Sequence, residues 1–167
     1  MALDRDDVIS VLNDLIETSK DGANGFRTAA ESVQSAQAKA VFTTQVQLKE
    51  RAVAELQAEV RRLGGDPERR GSVAGSLHRG WMNLKAAVTG GDDEAIIAEC
   101  ERGEEAAAKS YEDALEKALP ADLRAVVERQ YQGTLRNLDE VRALRAIPRA
   151  GAAARPRSTD REAPPPA

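Results

Sequence analysis

The sequence predicts an all-α protein: four long helices packed as an antiparallel bundle, with a short crossover helix between two helical hairpins. Three observations carry this. Only 3% of the 167 residues are aromatic and 31% are charged, with Ala, Leu, Glu and Arg prominent, so the core has to be built from small and aliphatic side chains on helices. Apolar residues recur at steps of three and four, which sets them on one face of a helix. Glycine and proline clusters punctuate that pattern at Gly64-Gly65-Asp66-Pro67, Thr89-Gly90-Gly91, Pro120 and Pro148.

The first helix is predicted over Asp4 to Val33. Asp4 caps it, and Asp6 and Asp7 in the first turn suit the positive end of the helix dipole. Its apolar stripe runs Val8, Leu12, Leu15 and resumes at Phe26, Ala30 and Val33. Between these it falls on Ser19 and Gly22, a gap in an otherwise apolar seam. The following Gln34-Ser35-Ala36-Gln37 holds neither Gly nor Pro. One continuous helix of about 60 residues would far exceed the usual length of about 11–12, so a tight turn is expected there.

The second helix is predicted over Ala38 to Leu63, with Phe42, Leu48, Ala52, Leu56, Val60 and Leu63 on its buried side. Gly64-Gly65 and Pro67 stop it, because glycine accepts the left-handed capping conformation and proline cannot continue a helix. A shorter third helix is predicted over Ser72 to Val88, with Ser72 as its cap and Val73, Leu77, Trp81, Leu84 and Val88 in phase. Asp92 or Asp93 caps the fourth, which runs to Ala118. Pro120 marks a break and suits the first turn of the fifth, which runs to Ala146, with Leu123, Val127, Gln130, Thr134, Leu138, Val141 and Leu144 in phase. Residues 1–147 are therefore read as one helical bundle. Residues 148–167, rich in Pro, Ala and Arg and without apolar periodicity, are read as a disordered tail.

Helices one, two, four and five are similar in length, and each hairpin is closed by a short link. The 64–91 segment then has to carry the chain from one hairpin to the other, which is ferritin-like connectivity. A net charge of -4 gives no global pull toward nucleic acid. No apolar run approaches the roughly 18 residues that a membrane span needs. The N-terminal MALDRDDVIS has no basic stretch followed by an apolar one, and a single cysteine, Cys100, allows no intramolecular disulfide. These features lead us to expect a cytoplasmic protein without nucleic-acid or membrane partners, working as a homo-oligomer or with a protein partner.

The stretches LNDLIETSKDGANGFRTAAE, ELQAEVRRLGGDPERRGSVAGSLHRGWMNLKAAVTGGDD and AECERGEEAAAKSYEDAL resemble the bacterial family catalogued as domain of unknown function 2383. Its members are described as ferritin-like four-helix-bundle proteins. The resemblance spans residues 6–145, and its most specific part is Gly71 to Gly75, His78 to Trp81 and Thr89 to Asp92. It implies the fold and, through ferritin-like relatives, a link to stress physiology. It implies no activity.

A ferritin-like di-iron centre draws glutamates from two helices and Glu-x-x-His pairs from the other two. This chain has one histidine, His78, on the crossover, and no Glu-x-x-His, so the standard centre is excluded. Glu104 is the carboxylate whose helical phase points inward, and Glu101 precedes it by three residues; these two are the candidates for a non-standard metal site. Glu17 and Asp21 fall off the stripe, and so few carboxylates make a poor cage for iron. The residues fit better as an interior polar layer of Ser19, Lys49, Glu104, Gln130 and Thr134, with Gln45 also in phase. Glu104 needs a partner there, either Lys49 or Gln130 with Thr134. Gly22, Gly103 and Gly133 fall at the same level, and each costs about 1 kcal/mol relative to alanine inside a helix, an expense that close helix contact offsets.

His78 and Trp81 share one side of the crossover helix. They are read as its anchor, with Trp81 docking it onto the bundle; the competing reading is a small pocket at the bundle end. Cys100 reads as a small buried hydrophobe. The sequence therefore points to a non-enzymatic bundle that acts by binding or assembly without a cofactor. The alternative is a metal-binding oxidase or storage protein that takes iron or another divalent metal near Glu104. A third reading is an adaptor whose tail recruits a partner.

Overall fold

The structure, a computed structural model, describes residues 2–69 and 81–146. Every regular element among them is a helix: α1 (Arg5–Ser32), α2 (Ala36–Arg62), α3 (Leu84–Thr89), α4 (Asp93–Leu115) and α5 (Ala121–Arg145). Their ends follow local chemistry. Asp4 accepts from the Asp7 N–H at 2.8 Å, Ser35 from Ala38 at 3.2 Å and Asp92 from Glu94 at 3.0 Å, each satisfying an N–H that the first turn leaves free. At the end of α2, Gly64 takes φ 80°. The Gly65 N–H then reaches the Val60 carbonyl and the Gly64 N–H the Arg61 carbonyl, both at 2.9 Å, which closes the helix.

The break between α1 and α2 forms without Gly or Pro because another helix holds it. Val33 is extended, and the N–H groups of Gln34 and Ser35 both donate to the Asp93 carboxylate at the start of α4, at 2.8 and 2.9 Å. This contact sets one end of the bundle. At the other end the Leu3 N–H meets the Ala118 carbonyl at 3.4 Å and Arg62 pairs with Asp122 at 3.0 Å. Helices α1 and α5 therefore run one way, and α2 and α4 the other. α1 packs on α2 and α4, and α5 on α4 and α2, so every neighbouring pair is antiparallel. The chain leaves α2 at one end and enters α4 at the opposite end, so the crossover has to travel the length of the bundle.

Two apolar clusters fill the ends. One gathers Leu12, Leu15, Ile16, Leu56, Val60 and Val127. The other gathers Phe26, Phe42, Ile96, Cys100, Val141 and Leu144. Two details differ from the sequence reading. Leu48, assigned to the buried stripe of the second helix, is 39% exposed, because its neighbours Gln45 and Lys49 take the inward positions. The third helix, expected from Ser72, is described only as the six residues of α3 after a turn at Trp81–Asn83, and Asn83 at its cap position makes no side-chain capping bond. Ser72, Val73, Leu77, His78 and the tail lie outside the described residues.

Candidate functional site

Between the two apolar clusters the interior turns polar. Lys49 reaches from α2 across the bundle axis, and its Nζ donates to Glu104 Oε1 on α4; the two side chains are 6% and 1% exposed. Gly22 on α1 explains the path. A Cβ there would sit 3.3 Å from Lys49 Cε and 3.4 Å from its Cδ, so the missing side chain is the space through which the lysyl stem passes. Ser19, one turn earlier, holds the other end of the gap. The Tyr111 hydroxyl donates to Gln130 Oε1 at 2.8 Å, which leaves the Ser19 hydroxyl to donate to the Tyr111 oxygen at 3.3 Å. Gln130 Nε2 continues to Glu55 Oε1 at 2.8 Å, and Arg129 closes the chain on Glu55 at 2.7 Å. The polar belt thus links all four long helices.

The belt's electrostatics follow from burial. Desolvation pushes the Glu104 carboxyl above the usual carboxylate range, and Lys49 pulls it back. Burial pushes the Tyr111 phenol up to about 12, opposed by the Ser19 hydrogen bond. It pushes the Cys100 thiol well up, helped by Glu104 and Glu99, so the thiolate that nucleophilic chemistry needs is disfavoured. Four buried side-chain oxygens have no hydrogen-bond partner among the described residues, Asn13 Oδ1, Glu17 Oε2, Gln45 Oε1 and Glu104 Oε2, and the last two lie at the waist. Gln45 is fully buried and uses its amide N–H on Glu140 at 3.2 Å.

These residues do not fit the metal centre that the fold family can carry. The core carboxylate is already engaged by an ammonium, and the groups around it are a phenol, with its hydroxyl and amide partners, and the Cys100 thiol, which burial and Glu104 keep protonated, a poor donor set for iron. Among the described residues no three His, Cys, Asp or Glu side chains converge as a ligand set. Glu101 turns away to the surface, where a hydrogen bond from Arg145 and a second from Arg142 hold its carboxyl below the ordinary range.

The polar belt opens to solvent between α2 and α5. A cleft of about 500 Å³ lies there, with Lys49, Ala52, Tyr111, Gly133 and Thr134 among its lining residues. Gly133, expected beside Gly22 and Gly103 in a tight waist, instead faces this space. A Cβ there would meet only an Arg136 nitrogen, 3.8 Å away. Gly103 does lie in a close contact, but with the crossover. The Trp81 ring would be 2.2 Å from a Cβ at Gly103 and 2.4 Å from one at Gly25, and it packs edge-on against Phe26 at 5.2 Å. Trp81 is half-buried in this slot between α1 and α4.

Sequence reasoning brought Lys49, Glu104, Ser19 and Thr134 to the interior, and all four are buried; Gln130 is half-buried at the cleft. It missed Tyr111 as the hub of the belt, Gly25 as half of the tryptophan slot, and Glu99, which is 1% exposed and accepts from the Asn83 N–H at 3.2 Å. Gly25 carried a signal: it lies three residues after Gly22 and directly before Phe26 on the buried side.

The profile of a family described as Domain of unknown function (DUF2383) matches residues 7–117. Among solved structures, the chain is similar to a two-domain protein from Anabaena variabilis that contains DJ-1/ThiJ/PfpI-like and ferritin-like domains, at a TM-score of 0.69 and 16% identity. The similarity covers 87% of this chain and 37% of that one. It shows the fold: a ferritin-like helical bundle. No curated protein matches the sequence. Among the described residues no helix is long and apolar enough to cross a membrane.

Proposed function

We propose that this chain, which belongs to the DUF2383 family, is a non-enzymatic ferritin-like bundle that works by binding and needs no metal. One observation carries the reading. At the waist, where a ferritin-like bundle can hold metals between glutamates, the one fully buried carboxylate of the belt is neutralised by Lys49 from the same chain. The ammonium supplies the positive charge that a metal would otherwise bring. A cytoplasmic setting and a link to stress physiology belong to the same proposal.

The alternative, a carboxylate metal site near Glu104, has the unpartnered Glu104 Oε2 in its favour. Metal analysis after exposure to ferrous iron, manganese and zinc separates the two. We expect only trace metal, unchanged in Glu104→Gln. Stoichiometric metal that disappears in Glu104→Gln while the fold persists would overturn the proposal.

A further inference from the structure

The α2–α5 cleft has a built register. Gln45 bonds Glu140 at 3.2 Å and Glu55 bonds Gln130 at 2.8 Å, and these two cross-links fix how the antiparallel helices face each other. The same alignment sets Ala52 opposite Gly133, Arg51 near Thr134, and Arg136 near Lys49. Two of the smallest residues therefore face each other across the middle and leave the space between the helices unfilled: a Cβ at Gly133 would meet only an Arg136 nitrogen, 3.8 Å away. The resulting space of about 500 Å³ is within the size of small-molecule pockets.

Its lining is unevenly satisfied. The acidic groups are occupied: Glu55 by Arg129 and Gln130, and Glu140 by Gln45. The free capacity is of the opposite kind. Arg51 and Arg136 line the cleft, and among the described residues neither has an ion-pair partner. Thr134 and Asn137 also line it and are 4% and 7% exposed, yet among the described residues no hydrogen bond engages either side chain. Neither side chain's polar atoms are among the sealed ones that lack a partner, so the hydroxyl and the amide face the water of the cleft, where a ligand's polar atoms can take the water's place. Planar guanidinium groups suit carboxylate or phosphate oxygens.

We infer that the α2–α5 cleft binds a small organic anion carrying a carboxylate or phosphate, held by Arg51 and Arg136, with its uncharged polar groups bonded to Thr134 and Asn137. The site deepens the reading that the chain acts by binding, and it is separable from the metal question because Glu104 does not line the cleft.

The test is isothermal titration of chelator-treated full-length protein, at physiological ionic strength, with citrate, glucose 6-phosphate and AMP. Glucose and adenosine serve as uncharged controls. We expect saturable one-to-one binding of at least one anion and none of its uncharged counterpart. Affinity should fall at least about tenfold in the double variant Arg51→Gln, Arg136→Gln. Gly133→Leu, which fills the cleft, should abolish binding, with circular dichroism verifying the fold of each variant. Absence of binding by all three anions overturns the inference. So does binding that survives both variants, since that reports adsorption elsewhere on the surface. Iron uptake by the same protein would overturn the metal-free reading and leave this result untouched.

Discussion

Replacing Lys49 by methionine keeps most of the stem that passes Gly22 and removes the cation. Glu104 is then left 1% exposed, with neither oxygen charge-paired. At pH 7 the carboxyl escapes this state by taking up a proton. With an unfolded value near 4.3 and about 1.36 kcal/mol per pH unit, that costs about 3.7 kcal/mol, which caps the electrostatic loss. The lost hydrogen bond adds to this and relief of lysine desolvation subtracts, so we expect a net loss of about 2–4 kcal/mol, consistent with breaking a buried pair from one side. The pH dependence identifies the cause. The folded Glu104 value rises in the variant, so the folded state binds its proton more tightly than the unfolded state does. Stability is then intact below about pH 4.3 and falls as pH rises toward the elevated folded value. Between pH 7 and pH 5 the variant should recover up to about 2.5 kcal/mol, and more than the parent recovers from its own raised Glu104 carboxyl, read from urea unfolding at both pH values. Adding Glu104→Leu should bring stability back to within about 1 kcal/mol of the parent, because a neutral apolar pair carries no desolvation cost. A deficit that is independent of pH, or smaller than about 0.5 kcal/mol, would refute the view that Lys49 neutralises Glu104.

The glycines should separate by what lies over them. Gly25→Ala and Gly103→Ala each force the Trp81 ring aside, so each should cost about 1–3 kcal/mol and shift tryptophan emission to the red, whereas Gly133→Ala, which meets nothing close, should stabilise by about 0.5–1 kcal/mol. Equal effects at all three positions in chemical denaturation would contradict the slot. Tyr111, with its phenol pushed up to about 12, makes the fold sensitive to alkaline pH in a defined way. Its contribution is complete below the unfolded value of about 10 and is lost as pH climbs through the folded value, so Tyr111→Phe should flatten the stability profile above pH 10. Parallel profiles would mean that water reaches the phenol.

Much of the architecture was legible because helices advertise themselves through period and punctuation. Asp4, Gly64 and Pro120 mark ends by local chemistry alone, and the stripe of α5 is buried as phase requires, apart from the half-buried Gln130. The gap at Ser19 and Gly22 was visible for the same reason. What filled it was less so. That Glu104 meets Lys49 and not Gln130 depends on a diagonal reach across the bundle, which no single-helix period encodes. Leu48 was misplaced because two polar residues, Gln45 and Lys49, took the inward phase that hydrophobicity assigned to it. The cleft was invisible because it arises from the alignment of Ala52 on α2 with Gly133 on α5, a relation between residues 81 positions apart.

The polar belt also determines which of several near-equal bundles forms. A core of Ala, Leu, Val and Ile is smooth. Sliding one helix past its neighbours by a turn, about 5.4 Å, exchanges one aliphatic contact for another at little cost. The same slide strands Lys49 and Glu104 as separated charges and parts Tyr111 from Gln130 and Ser19. Four helices that could otherwise ratchet along their axes are thereby pinned at a single height, like a bolt passed through stacked plates.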